Sequence, residues 1–83
     1  MLPVLLTGKA RKNIGKFSAE TKNRCAAALR VLSSDPFRGE ALLGEFRGLR
    51  RYRVGDLRII YRLEKKPGGI LVVAVEHRRE IYR

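Results

Sequence analysis

The sequence has little of what would make it a metalloprotein, a disulfide scaffold or a membrane protein. Its one cysteine, Cys25, has no partner within the chain, so an intramolecular disulfide is excluded. Such usage suits a reducing compartment, and a cytoplasmic protein is expected. One histidine and one cysteine do not make a typical structural zinc site, and neither a metal nor a cofactor is expected. Long apolar runs are missing as well. The stretch from Met1 to Leu6 is far shorter than the ~20 residues of a spanning helix or the core of a signal peptide, so no membrane association is expected. No repeat, low-complexity tract or linker divides the chain. Its 83 residues are enough for one small domain, taken as residues 1–83.

Acidic residues are scarce, and that scarcity defines what is present. Eight Asp and Glu stand against nineteen Lys and Arg, for a formal charge of +11, and thirteen of the nineteen are Arg. The planar, five-donor guanidinium matches phosphate and carboxylate oxygens. Excess charge delivered mainly as Arg therefore points to a nucleic acid or an acidic protein as partner. A hydrophobic fraction of 45% argues for a folded core, although a chain of this size gains stability from a partner.

The apolar pattern lays out the elements. Residues 2–6 read as a short strand, confined by Pro3 to a sheet edge or a strand start. Residues 8–15 form a short basic helix around Ala10 and Ile14, with Gly15 suited to close it. Ser18 is placed to cap a second helix, and Glu20 suits its first turn. Thr21, Cys25, Ala28, Leu29 and Leu32 recur on one face of that helix, which makes Cys25 a packed core thiol. The helix is expected to stop around Ser33 to Pro36. Residues 37–48 read as a connection. Three strands follow, 49–54, 57–63 and 70–75, separated by turns at Gly55-Asp56 and at Lys65 to Gly69. The β-branched run of the last suits a central strand buried on both faces. The expected fold class is α+β, two N-terminal helices packed on a mainly antiparallel sheet of about four strands.

The stretch Gly48-Leu49-Arg50-Arg51-Tyr52-Arg53-Val54-Gly55-Asp56-Leu57-Arg58-Ile59-Ile60-Tyr61-Arg62 resembles the central signature of the RelE/ParE toxins. The ending Val75-Glu76-His77-Arg78-Arg79-Glu80-Ile81-Tyr82 is similar to the C-terminal motif of the RelE branch. Ala10-Arg11-Lys12 and Asp35-Pro36 also resemble the family, so the likeness spans essentially the whole chain. It implies the toxin of a toxin–antitoxin pair, which enters the ribosomal A site and cuts the mRNA codon held there, without a metal, through attack of a 2′-hydroxyl on the adjacent phosphate. It further implies a cognate acidic, RelB-like antitoxin that wraps the toxin and carries the complex to operator DNA. The ParE-like alternative is a non-catalytic toxin that inhibits DNA gyrase. A third reading is an inactive regulator that binds antitoxin. Carried over residue by residue, the resemblance places functional side chains at Arg51, Arg53, Arg58, Arg78 and Tyr82, with Arg50 and His77 adjacent. Lys9, Lys12 and Arg79 join Arg50, Arg51 and Arg53 as candidate RNA-binding residues.

The residues support a basic surface in their own right. From residue 47 onward there are nine Arg and two Lys against four acids, 11 − 4 = +7. Residues two apart in a strand share a face, so Arg51 points with Arg53, and Arg58 points with Ile60 and Arg62, away from Leu57, Ile59 and Tyr61. Such a surface holds an RNA backbone by screening phosphate charge. Transesterification needs a base, an acid and cations at the phosphorus oxygens. Arg58 and Arg78 suit the last role, Tyr82 suits stacking or proton transfer, and His77, as the one imidazole in the sequence, is a candidate base or acid. Where some RelE toxins carry Lys, this sequence has Arg51 and Arg53, and Arg does not deprotonate. Proton transfer then falls to His77, Tyr82 or the ribosome. Arg58, set in an apolar strand, requires a partner or a ligand.

Overall fold

Helix capping at both helix starts follows the local chemistry of the sequence. The computed structural model describes residues 1–66 and 68–80. Strand β1 (Val4–Leu6) leads into helix α1 (Gly8–Gly15), and the Thr7 hydroxyl accepts from the Ala10 amide at 3.1 Å. That hydroxyl also donates to the Val73 carbonyl at 2.8 Å, so one side chain starts the helix and ties it to the sheet. Helix α2 (Ala19–Ser34) is capped by Ser18, whose hydroxyl accepts from the Thr21 amide at 3.2 Å. It ends at Asp35, one residue before Pro36, whose ring disfavours helix in its predecessor. Between the helices the chain turns through Lys16. Gly15 does not use the left-handed backbone region there.

The rest of the chain is a hairpin ladder. Strands β2 (Glu40–Ala41), β3 (Arg50–Val54), β4 (Leu57–Glu64) and β5 (Gly69–His77) pair antiparallel in sequence order. β1 returns to the far side of β5 and pairs with it in parallel, giving the order β1-β5-β4-β3-β2. The sheet therefore has five strands where about four are expected from sequence. The additional one lies inside the 37–48 segment that reads as a connection. It is only two residues long, too short for a period-two pattern, and arises because Glu40 and Ala41 register against Arg51 and Arg50. Gly55 opens the β3–β4 turn at φ 59°, the backbone that a Gly-X two-residue hairpin requires.

Both helices pack on one face of the sheet. Ala10, Phe17, Cys25, Ala28 and Leu32 bury against Leu57, Ile59, Tyr61, Ile70, Val72 and Val75. Cys25 sits in this core as expected, and burial pushes its thiol pKa up. β5 is interior to the sheet, but only one of its faces meets the helices. Leu71 and Val73 are half-buried rather than sealed, so the β-branched run marks an interior strand with one partly open face. A register shift at Ile60/Tyr61 lets Val72 and Val75 both join the core.

Tyr61 has no solvent exposure. Its hydroxyl donates to the Pro36 carbonyl at 2.7 Å and accepts from the Gly39 amide at 3.1 Å. A Cβ on Gly39 would lie 2.6 Å from that hydroxyl and 2.8 Å from the Arg51 carbonyl. Residue 39 must therefore be glycine for the segment to lie against β3 and β4.

Candidate functional site

The sheet face away from the helices carries the arginines. In the β3–β4–β5 register, Arg53 stands opposite Arg58, and Arg58 stands opposite Glu76. Arg51 is two residues from Arg53 on the same face, opposite Ile60, and Arg62 is four residues beyond Arg58 on β4. Alternation along regular strands thus brings Arg51, Arg53, Arg58 and Arg62 to one surface. Most of these cations have carboxylate partners. Arg51 pairs with Glu40 through both Nε and Nη2, which holds the Glu40 carboxyl below the usual carboxylate range. Arg62 pairs with Glu64 at 3.0 Å. Arg58 reaches Glu76 only through one nitrogen at 3.4 Å. Neither Arg53 nor Arg78 has an ion-pair partner among the described residues. Two like charges directly opposed on adjacent strands are unfavourable, and the opposed Arg53 and Arg58 create a site that an anion would relieve.

Beyond the end of β1 the edge of β5 is partly open. The side-chain oxygen of Asn13, on α1, accepts from the Val75 amide there at 3.0 Å. A cavity of about 410 Å³ opens beside this edge, bounded by Phe17, Arg58, Glu76, His77, Arg78 and Glu80 among others. Its lining combines the apolar Phe17 and Val75 with two cations, Arg58 and Arg78, and two carboxylates, Glu76 and Glu80.

The segment after β5 is fixed at three points. The Arg78 amide donates to the Asp56 carbonyl at 2.9 Å, and the Arg79 guanidinium lies 3.3 Å from the Asp56 carboxylate. His77 is nearly buried, with its ring 6.0 Å from that of Phe17, and its Nδ1 accepts from the Arg79 and Glu80 amides at 3.1 and 3.0 Å. Glu80 reaches the start of α2, accepting from the Ser18 amide at 2.6 Å, the Ser18 hydroxyl at 3.1 Å and the Thr21 hydroxyl. These donors, the Thr21 hydroxyl first and the Ser18 amide next, hold the Glu80 carboxyl below its ordinary range. A carboxylate at a helix N-terminus is also favoured by the helix dipole.

The candidates from sequence thus fall in different places. Arg51, Arg53 and Arg58 share the open face, and Arg58, His77 and Arg78 meet at the cavity. Arg50 points the other way. It binds the Phe37 and Gly39 carbonyls and lies 5.2 Å from the Phe37 ring centroid, so it holds the 37–39 segment. Lys9 and Lys12 are exposed on α1, and Arg79 is exposed at the end of the tail. Tyr82 lies outside the described residues. No local pattern in the sequence singles out Glu76 or Glu80. Only the strand register, including its shift at Ile60/Tyr61, puts Glu76 opposite Arg58, and only tertiary packing puts Glu80 at the α2 terminus.

The fold is that of a toxin of the type II toxin–antitoxin systems. Residues 4–82 match the family model described as ParE toxin of the type II toxin–antitoxin system parDE, and the chain belongs to that family. Among solved structures it is similar to a chain of the toxin–antitoxin complex RelBE2 from Mycobacterium tuberculosis, at 25% identity and a TM-score of 0.87, covering 93% of this chain and 98% of that one. The YoeB/ParE toxin from Agrobacterium tumefaciens superposes with a TM-score of 0.79 at 18% identity, over 92% and 98% of the two chains. The isolated Escherichia coli RelE toxin gives a TM-score of 0.78 at 11% identity, over 93% and 84%. The comparison with curated proteins finds no match. Among the described residues no helix is long and apolar enough to cross a membrane.

Proposed function

We infer that this toxin arrests translation by cutting mRNA in the ribosomal A site, as a cytoplasmic, metal-independent endoribonuclease. The observation that carries this reading is the opposed pair Arg53 and Arg58, with Arg78 lining the neighbouring cavity. Among the described residues neither the Arg53 nor the Arg78 guanidinium makes an ion pair, Arg53 feeling Glu40 only at longer range, and Arg58 has one weak contact. A scissile phosphate placed between them relieves the repulsion in the resting protein. It also gains stabilisation as charge builds on its non-bridging oxygens. Arg51, Lys9, Lys12 and Arg79 extend the positive surface along which an RNA backbone and the ribosome dock.

The cognate partner is an acidic, RelB-like antitoxin, through which the complex binds operator DNA. The toxin's charge of +11 supports this, as do Phe37, Leu43 and Phe46. These side chains are 67%, 83% and 54% exposed in the segment that borders β3. Their apolar area suits an amphipathic helix whose acidic face meets the adjacent arginines.

One observation favours a second reading. The matching family model is named for ParE, and a ParE-like toxin would inhibit DNA gyrase through contact alone. Primer extension on a defined mRNA in a purified translation system separates the two. The expected result is cuts within A-site codons that require ribosomes and disappear with Arg58→Ala or Arg78→Ala. An intact message from wild-type toxin that still blocks supercoiling would establish the gyrase reading instead.

A further inference from the structure

We propose that Glu76 is the general base of the cleavage reaction, the residue that takes the proton from the attacking 2′-hydroxyl. This rests on the endoribonuclease reading above and assigns, among the described residues, the base which that reading leaves open.

The case begins with elimination. Arginine does not deprotonate at accessible pH, so none of the aligned guanidiniums accepts a proton. The lone pair of His77 Nδ1 is occupied by the Arg79 and Glu80 amides. A ring that accepts at Nδ1 carries its hydrogen on Nε2 and has no lone pair left to offer. Other carboxylates near this face are committed. Glu40 is gripped by two Arg51 nitrogens, Glu80 accepts three bonds from Ser18 and Thr21, and Asp56 lies against Arg79. Glu64 pairs with Arg62 at the far end of β4.

Glu76 differs from each of these. It is directly opposite Arg58 in the ladder, lines the same cavity as Arg58 and Arg78, and its side chain is 61% exposed. Its one ion pair is a single 3.4 Å contact from Oε1 to an Arg58 nitrogen. Oε2 has no partner among the described residues. The row Arg53–Arg58–Glu76 runs straight across three strands, with neighbouring Cβ atoms ~5 Å apart. A phosphate seated on the two arginines therefore has a free carboxylate oxygen beside it, within reach of the ribose attached to that phosphate.

The step balances without any further reagent but water. Glu76 takes the 2′-hydroxyl proton as the 2′-oxygen bonds to phosphorus. The bond from phosphorus to the 5′-oxygen breaks, and that oxygen takes a proton from water. The proton on Glu76 then returns to the hydroxide. The products are a 2′,3′-cyclic phosphate and a 5′-hydroxyl, with no net proton change.

If Glu76 served only to mask Arg58, removing its charge would expose a cation and speed cleavage or tighten binding. A general base predicts the opposite sign. The test is single-turnover cleavage on pre-formed, programmed ribosomes, comparing wild type, Glu76→Gln and Glu76→Asp across pH, with ribosome occupancy measured in parallel. Glu76→Gln is expected to slow cleavage by roughly 10²–10⁴-fold at unchanged or tighter occupancy. Wild type is expected to lose rate on the acid side, Glu76→Gln should abolish that fall, and Glu76→Asp should restore part of both. Cleavage by Glu76→Gln at the wild-type rate, or with the wild-type acid limb intact, would overturn this assignment while leaving the endoribonuclease reading standing. Failure of the wild-type toxin to cut would remove both.

Discussion

Tyr61→Phe removes one oxygen from the centre of the protein and leaves the ring in place. The hydroxyl bridges two backbone groups that have little else to bind, donating to the Pro36 carbonyl and accepting from the Gly39 amide. Gly39 is buried, and Tyr61 has no exposure, so water does not replace the lost atom without opening the core. Leaving a buried backbone group unsatisfied costs about 1–3 kcal/mol. With the amide fully enclosed and the carbonyl partly so, the net loss should be about 2 kcal/mol. For a domain of this size each kcal/mol lowers Tm by ~4–8 °C, which gives a fall of roughly 8–16 °C. The assay is thermal unfolding of the purified toxin followed by far-UV circular dichroism, with a denaturant titration to check that the m-value is unchanged. The consequence should also be local. Arg50 is held by the Gly39 carbonyl, so amide exchange across residues 37–41 should accelerate more than in β4 or β5. A Tm within about 3 °C of wild type would refute the argument, because it would mean that the two backbone groups find other partners at little cost.

Other perturbations follow from the same geometry. Gly39→Ala should destabilise the protein by about 1–3 kcal/mol, because the new Cβ overlaps the Arg51 carbonyl, which is backbone and cannot swing away; chemical denaturation measures it. Arg58→Ala should reduce cleavage by roughly 10²-fold while leaving Tm nearly unchanged, since exposed ion pairs contribute little; equal activity would remove Arg58 from the site. Glu80 has a depressed carboxyl in the folded state. Its anchoring contribution is therefore complete above the unfolded carboxylate pKa of about 4.3 and is lost as pH falls through the lower folded value. Protection of the Ser18 amide relative to intrinsic exchange should fall on acidification below that range, and in Glu80→Gln it should be low already at neutral pH. Cys25, buried and with its thiol pushed up, should resist a thiol reagent until the protein unfolds, which a labelling time course in and out of denaturant tests.

Elements with strong local signals were legible without coordinates. Ser18 capped α2 and Pro36 followed its end, because a hydroxyl acceptor and the clash of a proline ring with its predecessor act within one turn of chain. The apolar stripe Thr21, Cys25, Ala28 and Leu32 became the buried face of that helix. β4 alternated as its residue pattern required, with Leu57, Ile59 and Tyr61 in the core and Arg58 and Arg62 exposed. The shared face of Arg51 and Arg53 followed from the same period of two. β2 was not legible, since two residues carry no period and its existence depends on the adjoining Gly39 meeting Arg51 and Tyr61 from later in the chain.

What remained was decided only by tertiary structure. Composition established a basic protein and pointed to an anionic partner, because charge and apolar content are properties of the chain whatever its shape. Which cation meets which anion is a property of register. A one-residue shift within β4 and β5 sets Glu76 opposite Arg58, and no local pattern encodes that shift. The parallel return of β1 leaves part of the β5 edge open, and the packing of α2 against the tail draws Glu80 to Ser18 and Thr21. These contacts join residues about sixty positions apart, where hydrophobic burial positions the backbone first and the polar groups pair with whatever that packing brings within reach.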